Sequence, residues 1–486
     1  MWHDDRLLID GRLVGAVGGA TYDTLNPATG DVLGQAADAT VTDARHAIDA
    51  ARRAFDTTDW SRDPAFRARC LRQLHAALVK HEDELRALIV AEVGAPVALT
   101  HGPQLAGPIA IVDWYATLLD TFEFTEELGE TEVRGAMHRR WVEKEAVGVV
   151  AAVVPYNYPV QITLAKLAPA LAAGCTVVVK GPPQTPWITA ALGKLIAEET
   201  DIPAGVVNVL TSSSAAVGEL LVTDPAVDMV SFTGSTATGR RIMAAASETV
   251  KRVFLELGGK SAFVVLDDAQ LELATMFAGF TICSHAGQGC AITSRLLVPE
   301  AVFADAAEMV RNTLAGVPYG DPTDPGTMMG PLISAEQRDK VGGMVNAALR
   351  DGAKAVIGGG RPEHLPNGYF FEPTLLVDVD QNASIAQDEV FGPVLVMLAY
   401  RDDDDAVAIA NNSIFGLSAA VFGSDTERAT AIARRIRSGT VSINGGMYYG
   451  PDAPFGGYKQ SGNGREMGVA GLNEYLEQKT LAVPVG

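Results

Sequence analysis

Cysteine is scarce and scattered. The chain holds four in 486 residues, Cys70, Cys175, Cys283 and Cys290, with no Cys-x-x-Cys pair and no Cys/His cluster of zinc spacing. That excludes a disulfide framework or structural zinc; no metal is implied, and a reducing, cytoplasmic compartment is expected. Long apolar runs are missing too. The run Ala146 to Pro155 is too short to span a bilayer, and Lys166 interrupts the apolar stretch that follows. Residues Met1 to Arg6 lack the basic-then-apolar profile of a secretory leader. Positive charge is in deficit. The net charge of -21 would repel nucleic acid and anionic membrane, so neither is an expected partner. There is no repeat, and the one charge run, Asp402 to Asp405, reads as a solvated turn or helix start. What remains is a globular chain, 48% hydrophobic, too long for a single core.

Helical periodicity marks Val41–Phe55, Pro64–Val93 and Gln104–Leu119, so the amino-terminal part reads as helix-rich. From Val147 short β-branched runs alternate with alanine-rich helices. Strands are predicted at Gly148–Val154, Thr176–Lys180, Val206–Leu210 and Met229–Phe232, with helices at Ile162–Ala173, Trp187–Glu199 and Ala215–Thr223. Such alternation predicts an α/β fold with a parallel sheet covered by helices. A second alternating block runs from Ser261 to about Ile443, with strands near Ala262–Leu266, Arg295–Val298 and Val394–Ala399. Phe122 to Glu145 is charged and strand-like, as a hairpin arm at a subunit contact would be. The final strand, Lys479 to Val485, is read as able to pair with a neighbouring subunit or to pack on its own.

Reactive groups sit in glycine-bearing motifs. Glu256 opens Glu256-Leu257-Gly258-Gly259-Lys260, and Cys290 closes Gly287-Gln288-Gly289-Cys290. A cysteine attacks carbonyl carbon only as thiolate and so needs a base, a task a carboxylate can serve. Pro155-Tyr156-Asn157-Tyr158-Pro159 falls at the carboxyl end of a predicted strand, where open α/β sheets place ligands. Asn157 there is either an oxyanion donor or an ordinary turn residue. Phe232 to Gly239 joins a strand to a helix and suits a pyrophosphate, or a plain turn. Lys180 ends another strand at the same edge. Glu389-Val390-Phe391-Gly392-Pro393 offers a carboxylate and a ring, and Pro454 to Gly462 is a glycine-rich connection without a role that its spacing defines.

Taken in order, these motifs resemble the aldehyde dehydrogenase superfamily, from about Tyr22 to Pro484, with Cys290 following Glu256 by 34 positions. The resemblance implies two open parallel-sheet Rossmann-type domains. The cofactor-binding domain would comprise 1–121 and 146–256, with 459–474 packing back on it. The catalytic domain would be 257–458, and 122–145 with 475–486 would form a β oligomerisation arm for a homodimer or homotetramer. It also implies that Cys290 attacks a small-molecule aldehyde, that its N–H and Asn157 bind the oxyanion, and that hydride passes to nicotinamide. Glu256 would then activate water on the thioester, with Lys166 assisting proton transfer. For the cofactor it implies Pro155, Tyr156, Lys180, Gly234, Ser235, Gly239, Leu257, Glu389 and Phe391.

One departure concerns Pro183. It replaces the glutamate that chelates the adenosine ribose in NAD-preferring members, so a dual or relaxed NAD/NADP preference is predicted. Ala165, preceded by Leu164, stands where other members carry arginine or tryptophan. With Tyr158, Tyr448 and Tyr449 it implies a wider apolar tunnel and a bulky hydrophobic aldehyde, aromatic, terpenoid or long-chain. A coenzyme A-acylating semialdehyde dehydrogenase is the alternative within enzymes, which the presence of Glu256 disfavours. A silent scaffold on the same fold is disfavoured by the intact Cys290, Glu256 and Asn157.

Overall fold

The computed structural model describes residues 6–485. Met1–Asp5, the stretch that carries the expectation of no leader, and Gly486 lie outside the described residues. Strand Thr176–Lys180 reads Thr-Val-Val-Val-Lys and is buried throughout, as a strand covered by helices on both faces must be. It pairs in parallel with Val149–Val153 and Val207–Leu210. Met229–Thr233 and Arg252–Glu256 extend the parallel set. Antiparallel strands close both edges: Leu7–Ile9 against Val207–Leu210, with Arg12–Val14 outside it, and Gly462–Asn463 against Arg252–Glu256. The result is an eight-stranded sheet. A separate seven-stranded sheet is built around Ser261–Val265, Thr293–Pro299 and Val394–Tyr400, with one antiparallel edge at Lys354–Ile357. Each sheet has its own apolar core. The chain leaves the first at Glu256 and enters the second at Ser261.

Helix Pro159–Ala173 carries the site's lysine. Proline starts it, alanines fill it, and Gly174 stops it at φ 97°, a conformation that suits glycine. The buried Arg67 guanidinium donates to the carbonyl of Ala172 near that end (3.0 Å).

Four expectations are corrected. The periodic run Pro64–Val93 is two helices, Pro64–Lys80 and Glu82–Val93. His81 breaks it at φ -104°, ψ 16°, its ring held between Glu84 (3.2 Å) and Glu199 (2.6 Å). The amino-terminal part is not only helical. It begins with Leu7–Ile9, Arg12–Val14, Thr21–Leu25 and Val32–Ala37. Asp10 and Gly11, both at positive φ, make the two-residue turn of the first hairpin. The helix expected from Gln104 starts at Ala106, because Gln104 is buried and donates to the Asn157 carbonyl at 2.8 Å. The terminal strand, expected over Lys479–Val485, begins earlier, at Leu476, and Leu476–Pro484 pairs along its length with Ala136–Ala146 of its own chain. Its start is tied there by buried Tyr475, whose carbonyl accepts the Val147 N–H (3.0 Å).

Among the described residues no helix is long and apolar enough to cross a membrane. Asp402 caps helix Asp403–Asn411 by accepting the Asp405 N–H.

Fully buried Arg295 joins that helix to the active-site motif. It donates to the carbonyls of Lys260 (2.9 Å), Ile409 (2.9 Å) and Ala410 (2.8 Å). Replacing Arg295 by Met would remove all three bonds from buried backbone carbonyls. The expected loss is about 2–4 kcal/mol, read as a lower guanidinium midpoint; an unchanged midpoint would refute this role.

Candidate active site

The carboxyl ends of three neighbouring parallel strands bring the predicted residues to one edge. Pro155 to Tyr158 follow Val149–Val153, Gly234 and Ser235 follow Met229–Thr233, and Glu256 ends its own strand. A cavity of about 210 Å³ opens there. Of the predicted residues it is lined by Pro155, Tyr156, Asn157, Gly234, Ser235, Leu257, Cys290, Glu389 and Phe391. Lys180, Pro183 and Gly239 are not in its lining, and neither are Glu256, Lys166, Ala165, Tyr158, Tyr448 and Tyr449. Gly239 packs against Leu257, whose Cδ2 would lie 2.7 Å from a Cβ there.

Cys290 comes from the other sheet's side of the cavity. Helix Leu271–Cys283 ends in a turn where His285, Ala286 and Gly287 are all left-handed (φ 46°, 51° and 71°). A Cβ on Gly287 would fall 2.1 Å from the Gly392 carbonyl oxygen, so only glycine fits. This turn presents the Gln288 carbonyl to Asn157, whose Nδ2 donates to it at 2.8 Å. The Asn157 amide has two N–H donors, and this bond holds its plane while one N–H is left for a ligand. Gln288 is itself buried and fixed, accepting the Ile333 N–H (3.0 Å) and donating to the carbonyls of His285 (3.2 Å) and Pro331 (3.3 Å). The Cys290 residue is part-exposed, yet its thiol lies deep. Burial first, then the charges of Glu256, Glu389 and Glu466, hold its pKa above the ordinary thiol range.

Glu256 is 2% exposed, and neither carboxylate oxygen has a hydrogen-bond partner of normal geometry. Burial and the neighbouring Glu466 raise its pKa well above that of a free carboxyl, while Lys166, Arg465 and a weak pull from the Gly457 N–H act the other way. Lys166 forms a fully buried ion pair with Glu466 (2.9 Å) and donates to Ser231 Oγ (3.2 Å). Its ammonium also lies over the Phe254 ring at 4.8 Å.

Glu389 Oε1 accepts the Gly259 N–H (3.0 Å), and Phe391, at φ 58°, meets the Tyr156 ring edge-on at 6.1 Å. Tyr158 packs edge-on against His285 at 5.3 Å. Tyr448 shares a hydrogen bond with Ser418 (3.1 Å), whereas the buried Tyr449 hydroxyl has no partner. Burial raises the pKa of all three phenols, and nearby Cys290 adds a smaller push to each. Ala165, at 1% exposure, is packed in the first core and borders no open space.

The residues present fit a dinucleotide. Ser235 caps helix Thr236–Ala246, whose first N–H groups face the cavity edge as an anion requires. Thr233 Oγ1 is buried there without a partner. Sequence reading missed Glu466, Gln337 and Lys340. The latter two line the cavity, and Gln337 fixes the Val390 and Phe391 carbonyls (3.2 and 2.8 Å). It also left the Pro454–Gly462 stretch without a role. A Cβ on Gly456 would lie 2.8 Å from Glu256 Oε1, so this segment is the wall behind the base. Its glycine density was the available signal.

Two α/β sheets that meet at a cavity holding a thiol, an amide donor and a fit for a dinucleotide define an oxidoreductase site. The chain belongs to the aldehyde dehydrogenase family, whose model matches residues 15–481. It is 40% identical over 477 residues to the 3-succinoylsemialdehyde-pyridine dehydrogenase of a Pseudomonas species, covering 97% of both chains. It is 38% identical to the NADP-dependent succinate-semialdehyde dehydrogenase of Escherichia coli, covering 98% of this chain and 97% of that one. A cysteine-to-alanine variant of Pseudomonas syringae aldehyde dehydrogenase C, solved with NAD+ and octanal, superposes at a TM-score of 0.93. That match has 37% identity and covers 98% and 96% of the two chains. The chain is thus an oxidoreductase of aldehydes.

A thiol held protonated by burial and by carboxylates sets a pH profile. Alkylation of Cys290 by iodoacetamide in the ligand-free protein is expected to keep rising beyond pH 9, past the ordinary thiol value of about 8.5. A plateau by pH 8, followed by intact mass, would show the thiol to be unperturbed.

Proposed function

We propose that this enzyme oxidises a bulky hydrophobic aldehyde, aromatic, terpenoid or long-chain, to its carboxylic acid, with NAD as acceptor and NADP also admitted. The observation that carries the reading is that Cys290 and Asn157 line one cavity while Glu256, buried behind its edge, lies close enough for its charge to raise the thiol's pKa. The Cys290 sulfur bonds the aldehyde carbon, and the free Asn157 N–H, with the Cys290 backbone N–H, receives the developing oxyanion. A bound nicotinamide supplies the hydride acceptor; Pro155, Tyr156, Gly234, Ser235, Leu257, Glu389 and Phe391 would hold it. Glu256, whose raised pKa suits a base near neutral pH, takes a proton from the water that releases the acyl group from Cys290. Lys166 and Glu466 keep a compensated charge pair beneath it.

The substrate class rests on what surrounds the thiol. Tyr158, Tyr448 and Tyr449 crowd it with aromatic surface, whereas Leu164 and Ala165 are packed in the core and take no part. The relatives span both classes, octanal and succinate semialdehyde; the tyrosines favour the apolar one. Four free cysteines among the described residues fit a cytoplasmic enzyme. The exposed arm of Thr125–Val133, Ala136–Ala146 and Leu476–Pro484 suits assembly as a homodimer or homotetramer.

The test follows NADH and NADPH formation over acetaldehyde, benzaldehyde, a terpenoid aldehyde, a long alkanal and succinate semialdehyde. Cys290→Ala is expected to abolish turnover, and Asn157→Ala to lower kcat by roughly 10²–10³-fold. The apolar aldehydes should rank highest in kcat/KM. Preference for succinate semialdehyde would sink the substrate reading while leaving the chemistry intact.

A further inference from the structure

Lys180 ends strand Thr176–Lys180 at the ligand edge and is buried, 9% exposed. Its Nζ donates to the carbonyls of Gly181 (3.0 Å) and Ser212 (3.3 Å). Neither partner is a charge, and Pro183, half-buried three residues on, provides none. The carboxylate nearest in this corner comes from elsewhere in the chain. Asp38, just beyond strand Val32–Ala37, is clamped by the loop that follows strand Val207–Leu210. Its Oδ1 accepts from Ser212 Oγ (3.1 Å) and the Ser213 N–H (2.9 Å), and its Oδ2 accepts from Ser213 Oγ (2.7 Å). Ser212 therefore touches both groups, its carbonyl on the ammonium and its hydroxyl on the carboxylate. The charge of Asp38 is felt at Lys180, partly countering the burial that brings the lysine down to about 8. The two bonds from Ser213 and a share of the Ser212 proton, which also reaches the Ala39 carbonyl at 2.7 Å, leave this carboxylate little freedom to swing aside, and its part-exposed position leaves it open to a ligand at the strand edge.

We infer that Asp38 sets the preference between NAD and NADP, its fixed carboxylate repelling a ribose 2′-phosphate beside Lys180. The inference rests on the cofactor reading above and narrows it. Losing the glutamate at Pro183 removes one barrier to NADP, and Asp38 puts a negative charge back from another strand. An unmodified ribose carries only hydroxyls and meets no such repulsion. The phosphate would add close to two negative charges facing a third, in a corner where solvent screens incompletely.

The test measures dissociation constants for NAD+ and NADP+ by calorimetry without aldehyde, on the full chain. Asp38→Asn keeps an acceptor for the Ser213 N–H while removing the charge, and Ser213→Ala removes hydrogen bonds while keeping it. Asp38→Asn is expected to tighten NADP+ roughly tenfold and to change NAD+ less than about twofold. Ser213→Ala should leave the NAD+/NADP+ ratio near that of the unmodified protein. NADP+ affinity unchanged in Asp38→Asn, or both cofactors weakened alike, would overturn the inference. An unmodified protein that binds neither cofactor would instead overturn the cofactor reading beneath it.

Discussion

The site depends on how closely backbone can pass at the crossover Leu257–Lys260. Those residues carry the chain from one sheet to the other, and three functional groups press on them. A Cβ at Gly258 would lie 2.4 Å from Glu389 Oε2, and one at Gly259 would lie 2.5 Å from the Cys290 carbonyl oxygen. No side chain fits at Gly259, and one at Gly258 would displace the Glu389 carboxylate. The two glycines cost backbone entropy, and in return the base, the cofactor-facing carboxylate and the nucleophile's backbone sit at fixed separations. Ser461 locks the same stretch from behind. Its hydroxyl donates to the Gly258 carbonyl (2.7 Å), and its own carbonyl accepts the Leu257 N–H (2.9 Å). The geometry that the chemistry needs is therefore set by backbone contact between domains, with long side chains contributing little to it.

The fold was legible where one strand or helix carries its own signal. Thr176–Lys180 is an unbroken β-branched run, and the turn after Met229–Thr233 announces itself by Gly234 and Ser235. The Asp10-Gly11 hairpin was equally readable, as a two-residue turn signal between apolar runs, yet the helical weight of the following segment masked it. The break at His81 had no such signal. Apolar spacing continues through it, and the histidine is held by Glu199, a residue far along the chain. Cys290, Asn157 and Glu256 lay in motifs that sequence order alone brings out. Glu466, Gln337 and Lys340 act through partners on other elements, so no local spacing marks them. Ala165 shows the limit of inferring space from side-chain size: the volume that a larger residue would fill is taken up by core packing.

Buried ion pairs rarely stabilise a fold, because desolvation offsets the attraction. Lys166 and Glu466 therefore call for a role beyond stability, and their place supplies one. They join helix Pro159–Ala173 to the carboxyl-terminal segment directly behind Glu256. The lysine is held further by Ser231, which is hydrogen-bonded to Tyr475 (3.0 Å). Without the lysine, Glu256 and Glu466 would face each other unbalanced. Without Glu466, a bare ammonium would hold Glu256 ionised and weaken it as a base.

The crowding of carboxylates around Cys290 looks unfavourable for a nucleophile that must become an anion. It is unfavourable only if that charge is created anew. Burial and then Glu466 raise Glu256, and burial and then the Glu256 charge raise the thiol, so the thiol ionises less readily while Glu256 is charged. A proton moving from Cys290 to Glu256 leaves the local net charge unchanged and relieves that repulsion, because the carboxylate becomes neutral as the thiolate forms. Transfer within the pair is then much closer to balanced than loss of a proton from the thiol to bulk water. The same coupling keeps the resting thiol protonated and slow to oxidise. In the proposed reaction the thiolate charge passes to the aldehyde oxygen as the C–S bond forms and leaves with the hydride, so once the sulfur carries an acyl group the pull that kept the proton on Glu256 has weakened. The carboxyl is freed to return to the base form just when water must be activated.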